Sequence, residues 1–307
     1  MQALRPETTA VAAADAAPLR LTLKVHNSMA IVERDWRHLE ADPRNSLHQG
    51  YDWCSAWVKT HGHPLAIVEG RIDGMLAFLL PLEIQRLHMV RCAQFIATRF
   101  TNFNSGLFSS VFRAKAAALP ATEIAEALRE ALSDQADLIS LCNIPLDWRG
   151  ERHPLADLAT VENQNHAFQL PLGADMEQTI APLNAKRRRK KYRVQIRKLE
   201  SAGGFEHVQA RSAREKAQLL ELFFVQKAAR FKAFGLPNVF QAPETQAFFH
   251  MLLDLDRGGS DVPLELHAIR LKGEHDGKIA AIAGLSRKGD RVICQFGSID
   301  DTLVPEA

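Results

Sequence analysis

The densest group of chemically capable side chains is a basic run: nine of the thirteen residues Lys186–Lys198 are Lys or Arg. Such a run can hold phosphate groups, in a nucleic acid or in a smaller ligand. The favoured reading is the solvated face of a helix, because Tyr192, Ile196 and Leu199 recur at i, i+4 and i+7 and give the same segment an apolar stripe for docking, and a nucleic-acid partner is not expected. Proton-accepting chemistry needs a carboxylate or an imidazole. Glu265, His267 and His250 are the candidates, and strand alternation places Glu265 and His267 on one face, opposite Leu264, Leu266 and Ala268. None of the three is singled out as a catalytic base. His61-x-His63 invites a metal reading, but no third ligand lies nearby in sequence, and no metal is expected. The four cysteines, Cys54, Cys92, Cys142 and Cys294, lie far apart inside apolar stretches without C-x-x-C or C-x-x-H spacing. Buried reduced thiols are expected, and with them a reducing compartment, the cytoplasm. No G-x-G-x-x-G, Walker A, G-x-S-x-G or H-E-x-x-H pattern occurs, which argues against the commonest nucleotide-binding and hydrolase classes.

These residues sit in a chain of 307, comfortable for two domains. An apolar share of 46 % and a charged share of 24 % are those of a globular protein and exclude a disordered chain, a collagen-like fibre or a small disulfide scaffold. The longest strongly apolar run, Met75–Leu82, is strand-sized, so no membrane span is expected. With 38 Lys and Arg against 36 Asp and Glu, the net charge is only +2, and any basic surface must be local.

Residues 1–19 read as a flexible tail, since Asp15 interrupts the apolar core a secretory signal needs. A strand is predicted over Leu21–Val25 and a helix from Ser28. A second helix runs over Tyr51–Thr60, with Trp53 and Trp57 on one face. Pro64–Glu69, Gly74–Pro81 and Met89–Phe95 read as strands of a meander. Thr98–Ser110 is a polar loop of the kind that contacts ligands. A helix follows Pro120, and strands follow at Leu138–Cys142 and His166–Pro171.

In the second block, Asp175 opens a helix that should continue through the basic run until Gly203-Gly204. Phe205–Ala210 is a strand. Ser212-x-x-Glu215 is a capping box opening a long helix, and Pro243 begins another. Leu264–Leu271, Lys278–Ser286 and Arg291–Ser298 form an antiparallel meander, because their connections are too short for parallel crossovers. Both blocks run from helices to antiparallel strands, which predicts two α+β domains of similar design, residues 20–170 and 171–307.

The helix LNAKRRRKKYRVQIRKLESAGG with its following strand, the long helix ending in RFKAFG, and the meander HAIRLKGEHDGKIAAIAGLSRKGDRVICQFGSID together resemble GNAT acetyltransferases of the CelD-like type, often associated with cellulose or exopolysaccharide biosynthesis. The Trp53/Trp57 helix fits that family's N-terminal half. The architecture is also similar to that of the two-domain Fem aminoacyltransferases.

The resemblance implies an α+β fold of two tandem GNAT-like (acyl-CoA N-acyltransferase) domains with mixed, mostly antiparallel sheets and flanking helices. It implies acetyl-CoA or another acyl-CoA as co-substrate, and as acceptor an amine of a sugar, polysaccharide precursor or small metabolite, attacked directly in a ternary complex. The thioester arm would lie along Ile293–Ser298, making Gln295, Phe296, Gly297 and Ser298 the expected cofactor-binding residues. The sequence ends at Ala307, before the pyrophosphate loop and helix of the family, so the second domain is expected to be incomplete. Two alternatives stand beside this reading: a Fem-like transferase whose basic helix grips aminoacyl-tRNA, and a non-catalytic binding module with an unfinished cleft.

Overall fold

The structure, a computed structural model, describes residues 19–115, 119–158, 161–182, 186–255 and 261–303, and its architecture is mixed α+β. In the N-terminal half, β1 (Leu21–His26), β2 (Leu65–Ile72), β3 (Met75–Leu87) and β4 (Val90–Phe95) lie side by side and antiparallel. Short β5 (Leu107–Phe108) adds to β3, and β6 (Leu138–Ser140) pairs with β4 in parallel. Helices α1 (Glu33–Glu40) and α2 (Tyr51–His61) cover one face, and α3 (Ser110–Lys115) and α4 (Ala121–Leu132) the other. Being covered on both sides is why β2 and β3 read as continuous apolar runs. Ala66, Val68, Phe78 and Leu80 pack toward α3 and α4, whereas Ile67 and Leu79 pack toward α1 and α2. A hairpin of β7 (Asp147–Trp148) and β8 (Glu151–Arg152) follows.

The C-terminal half holds α5 (Met176–Ile180), α6 (Lys186–Ser201), β9 (Phe205–Gln209), α7 (Ala213–Ala233), α8 (Pro243–Asp254), and strands β10 (Val262–Leu271), β11 (Ile279–Lys288) and β12 (Arg291–Ile299). Its sheet runs β12-β11-β10-β9, antiparallel throughout, with β12 at an edge. The capping box forms as expected. Ser212 Oγ accepts from the Glu215 amide at 3.2 Å, and Glu215 accepts from the Ser212 amide at 3.0 Å, which holds the Glu215 carboxyl below its usual range.

One hydrophobic core joins the halves. Trp53 and Trp57 share a face of α2, as their spacing predicts, and both rings meet Phe248 of α8 edge-on, at 5.4 and 5.2 Å. That core extends through Phe223, Phe249 and Phe296 to Leu264 and Leu266 under the second sheet. Each sheet also carries a glycine that lets a phenylalanine ring lie on the backbone. A Cβ on Gly70 would fall 2.4 Å from the Phe78 ring, and one on Gly284 2.3 Å from the Phe296 ring. Both glycines pair with that phenylalanine across the ladder, and a β-bulge follows each.

Several expectations are corrected. The helix opened by Asp175 does not run on to Gly203: α5 ends at Ile180, because Pro182 has no N–H to continue it and its ring collides with the carbonyl four residues back. Its expected apolar Leu183 lies outside the described residues. His166–Pro171 forms no strand; no neighbouring edge receives its backbone, and Phe168 is 92 % exposed. Cys54 and Cys92 are buried thiols, but Cys142 and Cys294 are exposed, because one follows the end of β6 and the other lies on an edge strand. Residues 1–18 of the expected tail lie outside the described residues, whereas Leu19 packs against the N-terminal core.

Candidate functional site

Where the halves meet there is a cavity of about 170 Å³. Arg99, Phe100, Thr101 and Asn102 line it from the loop after β4, Val239 and Phe240 from the loop before α8, Phe249 from α8, and Gln295 from β12. The loop is the polar segment expected to contact ligands, and its shape is fixed by buried amides. Asn104 donates to Cys142 O at 3.0 Å and to Thr98 Oγ1 at 2.9 Å, and its Oδ1 accepts from Gln49 at 2.8 Å. The Ser105 amide in turn donates to Gln49 Oε1 at 3.0 Å. With every buried polar group satisfied, such a network holds one conformation. Phe100 packs on Phe240 and Phe249 at 5.6 and 5.4 Å. Asn102 Nδ2 donates to Cys294 O at 2.6 Å, tying the loop to the edge of β12.

Gln295 is the extra residue of the bulge on β12. Leu285 pairs with Cys294 and Gly284 with Phe296, leaving Gln295 without a cross-strand partner. Its carboxamide is clamped from behind: Nε2 donates to Ser286 Oγ at 2.9 Å and lies 2.8 Å from His48 Nε2. His48 Nδ1 donates to Phe103 O at 3.3 Å, so its Nε2 is the acceptor and Gln295 the donor. His48 is wholly buried, and desolvation lowers its pKa to about 4, so the imidazole is neutral at pH 7. Both N–H bonds of Gln295 are then used, and its Oε1 lies 3.1 Å from His48 Nε2.

The other expected donor-binding residues differ in what they expose. Gly297 is exposed, and a Cβ placed on it would meet nothing closer than Ile282 O at 3.5 Å, so its backbone is open to close approach. The Phe296 ring is buried against Phe223 at 4.1 Å, and Ser298 Oγ donates to Gln226 Oε1 at 2.6 Å. Those two offer a ligand only their backbone.

None of the three expected base candidates lines the cavity. Glu265 and His267 do share a face, on the side of the second sheet away from the core, where His267 Nδ1 lies 2.9 Å from His207 Nε2 and Gln209 donates to Glu265 at 3.2 Å. His250 pairs with Glu221 at 2.8 Å on the outside of α7 and α8. His61 stacks on Trp57 with ring centroids 3.4 Å apart. Among the described residues no three His, Cys, Asp or Glu side chains group as metal ligands, and no helix is long and apolar enough to cross a membrane. Sequence reasoning missed His48, whereas Asn102 lies in the expected ligand-contacting loop without having been singled out. His48 stands in an undistinguished polar segment, and its partner is 247 residues away.

Residues 186–304 match the family model described as Acetyltransferase (GNAT) domain. No curated protein matches the chain. Two solved structures are similar at low identity. One is a conserved protein of unknown function from Bacteroides thetaiotaomicron VPI-5482, 12 % identical with a TM-score of 0.48, the match covering 92 % of this chain and 81 % of that one. The other contains a GCN5-related glucosamine N-acetyltransferase region of a fungal multi-domain GH3 β-N-acetylglucosaminidase, 10 % identical with a TM-score of 0.31, covering 88 % of this chain and 28 % of that one. The segment that supplies β12, Val239, Phe240, Phe249 and Gln295 is therefore the segment that matches a GNAT-type acetyltransferase domain.

Proposed function

We propose that the chain is an acyl-CoA-dependent N-acyltransferase of the CelD-like type, acting in the cytoplasm. Gln295 and Gly297 would receive the donor's thioester arm, and the cavity beside them a small amine such as an amino sugar or polysaccharide precursor. The observation that carries this reading is the placement of Gln295: it lies in the segment matching the acetyltransferase domain, on a bulged edge strand, and it lines the cavity. The residues present suit an amide-bearing arm in two respects. The Gln295 carboxamide is held in place at the cavity wall, and the open backbone at Gly297 admits a chain laid alongside. In the reaction the free amine attacks the thioester carbon, the carbon–sulfur bond breaks, the thiolate takes up a proton, and the ammonium proton leaves to solvent. With no carboxylate or imidazole among the described residues that line the cavity, the protein would contribute by placing the two reactants.

The same reading takes the two halves as tandem copies of one design. Its support is the repeated device of a glycine under a cross-strand phenylalanine followed by a bulge, Gly70–Phe78 and Gly284–Phe296.

Thermal unfolding with and without acetyl-CoA tests the proposal, followed by thiol release with a panel of amines. A ligand at 100 times its Kd adds about 2.7 kcal/mol, which raises Tm by about 4 °C for a chain of this size. No shift at millimolar acetyl-CoA and no thiol release with any amine would overturn it.

A further inference from the structure

Helix α6 is built against its own stability as an isolated structural element. Its N-terminal six residues, Lys186–Lys191, are all basic, and no acidic residue stands in the first turn. That end of a helix carries the positive pole of the macrodipole, where cations are unfavourable. The pairs Lys186/Lys190, Arg187/Lys191, Arg189/Arg193 and Arg193/Arg197 place like charges four residues apart, each at a cost of a few tenths of a kcal/mol. Core packing does not compensate: none of the described side chains of α6 is buried. Nor do neighbouring acids. Lys186, Arg187, Lys190, Lys191, Arg193 and Arg197 are exposed and make no ion pair or hydrogen bond with another described residue. An arrangement of this kind is stabilised when an external anion neutralises it.

The geometry narrows the anion. At 1.5 Å per residue, Lys186 to Arg197 spans about 17 Å, the length of roughly five phosphates along one strand. With 3.6 residues per turn the six side chains fan across the side of the helix opposite Ile196 and Leu199, which are half-buried. An interfacial membrane helix needs that apolar stripe turned outward. Here two of its three residues, Ile196 and Leu199, are half-buried and only Tyr192 is exposed, at 45 %, while Val194, 43 % exposed, lies apart from the stripe among the cations. We infer that the outer face of α6 is a docking surface for the phosphate backbone of a nucleic acid, held by charge and without base readout.

Fluorescence anisotropy of the full chain with a labelled 20-nucleotide RNA strand and a 20-base-pair DNA duplex, titrated with salt and without acetyl-CoA, tests the surface. Six neutralised phosphates predict a slope of log Kobs against log salt of about −4 on the single strand and about −5 on the duplex. The quadruple variant Lys190→Gln, Lys191→Gln, Arg193→Gln, Arg197→Gln should flatten those slopes by about 3 while melting no lower than the parent, since it removes repulsion. A parent slope shallower than −2, or an unchanged slope in the folded variant, would overturn the inference. So would tighter binding to vesicles of phosphatidylserine and phosphatidylcholine than to either nucleic acid.

Discussion

Two histidines buried as neutral rings make the stability of this fold sensitive to mild acid. His48 and His153 have pKa values lowered from 6.5 to about 4, chiefly by desolvation, with the Arg113 charge adding to the effect at His153. Between pH 6.5 and about 4 the unfolded chain binds both protons and the folded chain neither. Their contribution is therefore intact above 6.5 and is lost as pH falls toward 4, at about 1.4 kcal/mol per histidine per pH unit. From pH 7 to pH 5 this comes to about 2 kcal/mol each, about 4 kcal/mol together, a large part of the 5–15 kcal/mol that holds a typical protein folded. Burial of Glu40 and Glu83 raises their pKa values and works in the opposite direction, so the parent slope is a difference of the two effects. Urea unfolding at pH 7, 6 and 5 measures it, and the variants His48→Gln and His153→Gln isolate the histidine part. Each should flatten the pH dependence by about 1 kcal/mol per pH unit. A variant whose stability falls as steeply with acid as the parent's would refute the assignment of a neutral, buried ring at that position.

Three other substitutions probe the site and the core. Gln295→Leu keeps most of the volume but leaves His48 Nε2 and Ser286 Oγ without their donor; it should cost about 1–3 kcal/mol in urea and reduce the acetyl-CoA shift in Tm. Trp57 Nε1 donates to the buried Glu83 carboxylate at 2.7 Å, whereas Trp53 Nε1 is buried with no partner among the described residues. Trp57→Phe should therefore destabilise by about 1.5–3 kcal/mol more than Trp53→Phe, and equal losses would contradict that difference. Gly284→Ala drives a methyl into a Phe296 ring wedged between Phe223 and Phe249, so a loss of about 1–3 kcal/mol is expected by urea titration and a neutral result would argue against the contact.

Periodicity and punctuation make most elements legible in the sequence. The Ser212/Glu215 box, Pro243 at the start of α8, and the closing meander depend only on neighbours in sequence, and the structure has each of them. The structure departs from the sequence pattern in two places, one for want of a tertiary partner and one at a local breaker. His166–Pro171 alternates like a strand yet reaches no sheet edge, and the helix begun at Asp175 met Pro182, whose missing N–H outweighs a good capping residue. The candidate site was legible in part. The composition of the loop after Thr98 is a local signal, whereas Gln295 and Gly297 come from the resemblance and not from any local pattern; the structure puts Gln295 in the cavity wall. His48 is not legible, since its role comes from a contact with Gln295, 247 residues away, and residue type alone does not tell which sheet face meets the cavity.

The shared core bears on what the N-terminal half does. If the cavity belonged to the C-terminal segment alone, Arg99, Phe100, Thr101 and Asn102 would be incidental neighbours. They are instead fixed by Asn104 and Gln49, joined to β12 through Asn102, and backed by His48, which orients Gln295. The same half buries Trp53 and Trp57 against Phe248, and at about 1.5–3 kcal/mol per buried large side chain those three residues contribute an amount comparable with a whole domain's net stability. Removing the N-terminal half would therefore expose the aromatic face of α8 and release Gln295 together. The domain match begins at residue 186, but the hydrophobic core and the cavity both extend to the N-terminal side of it.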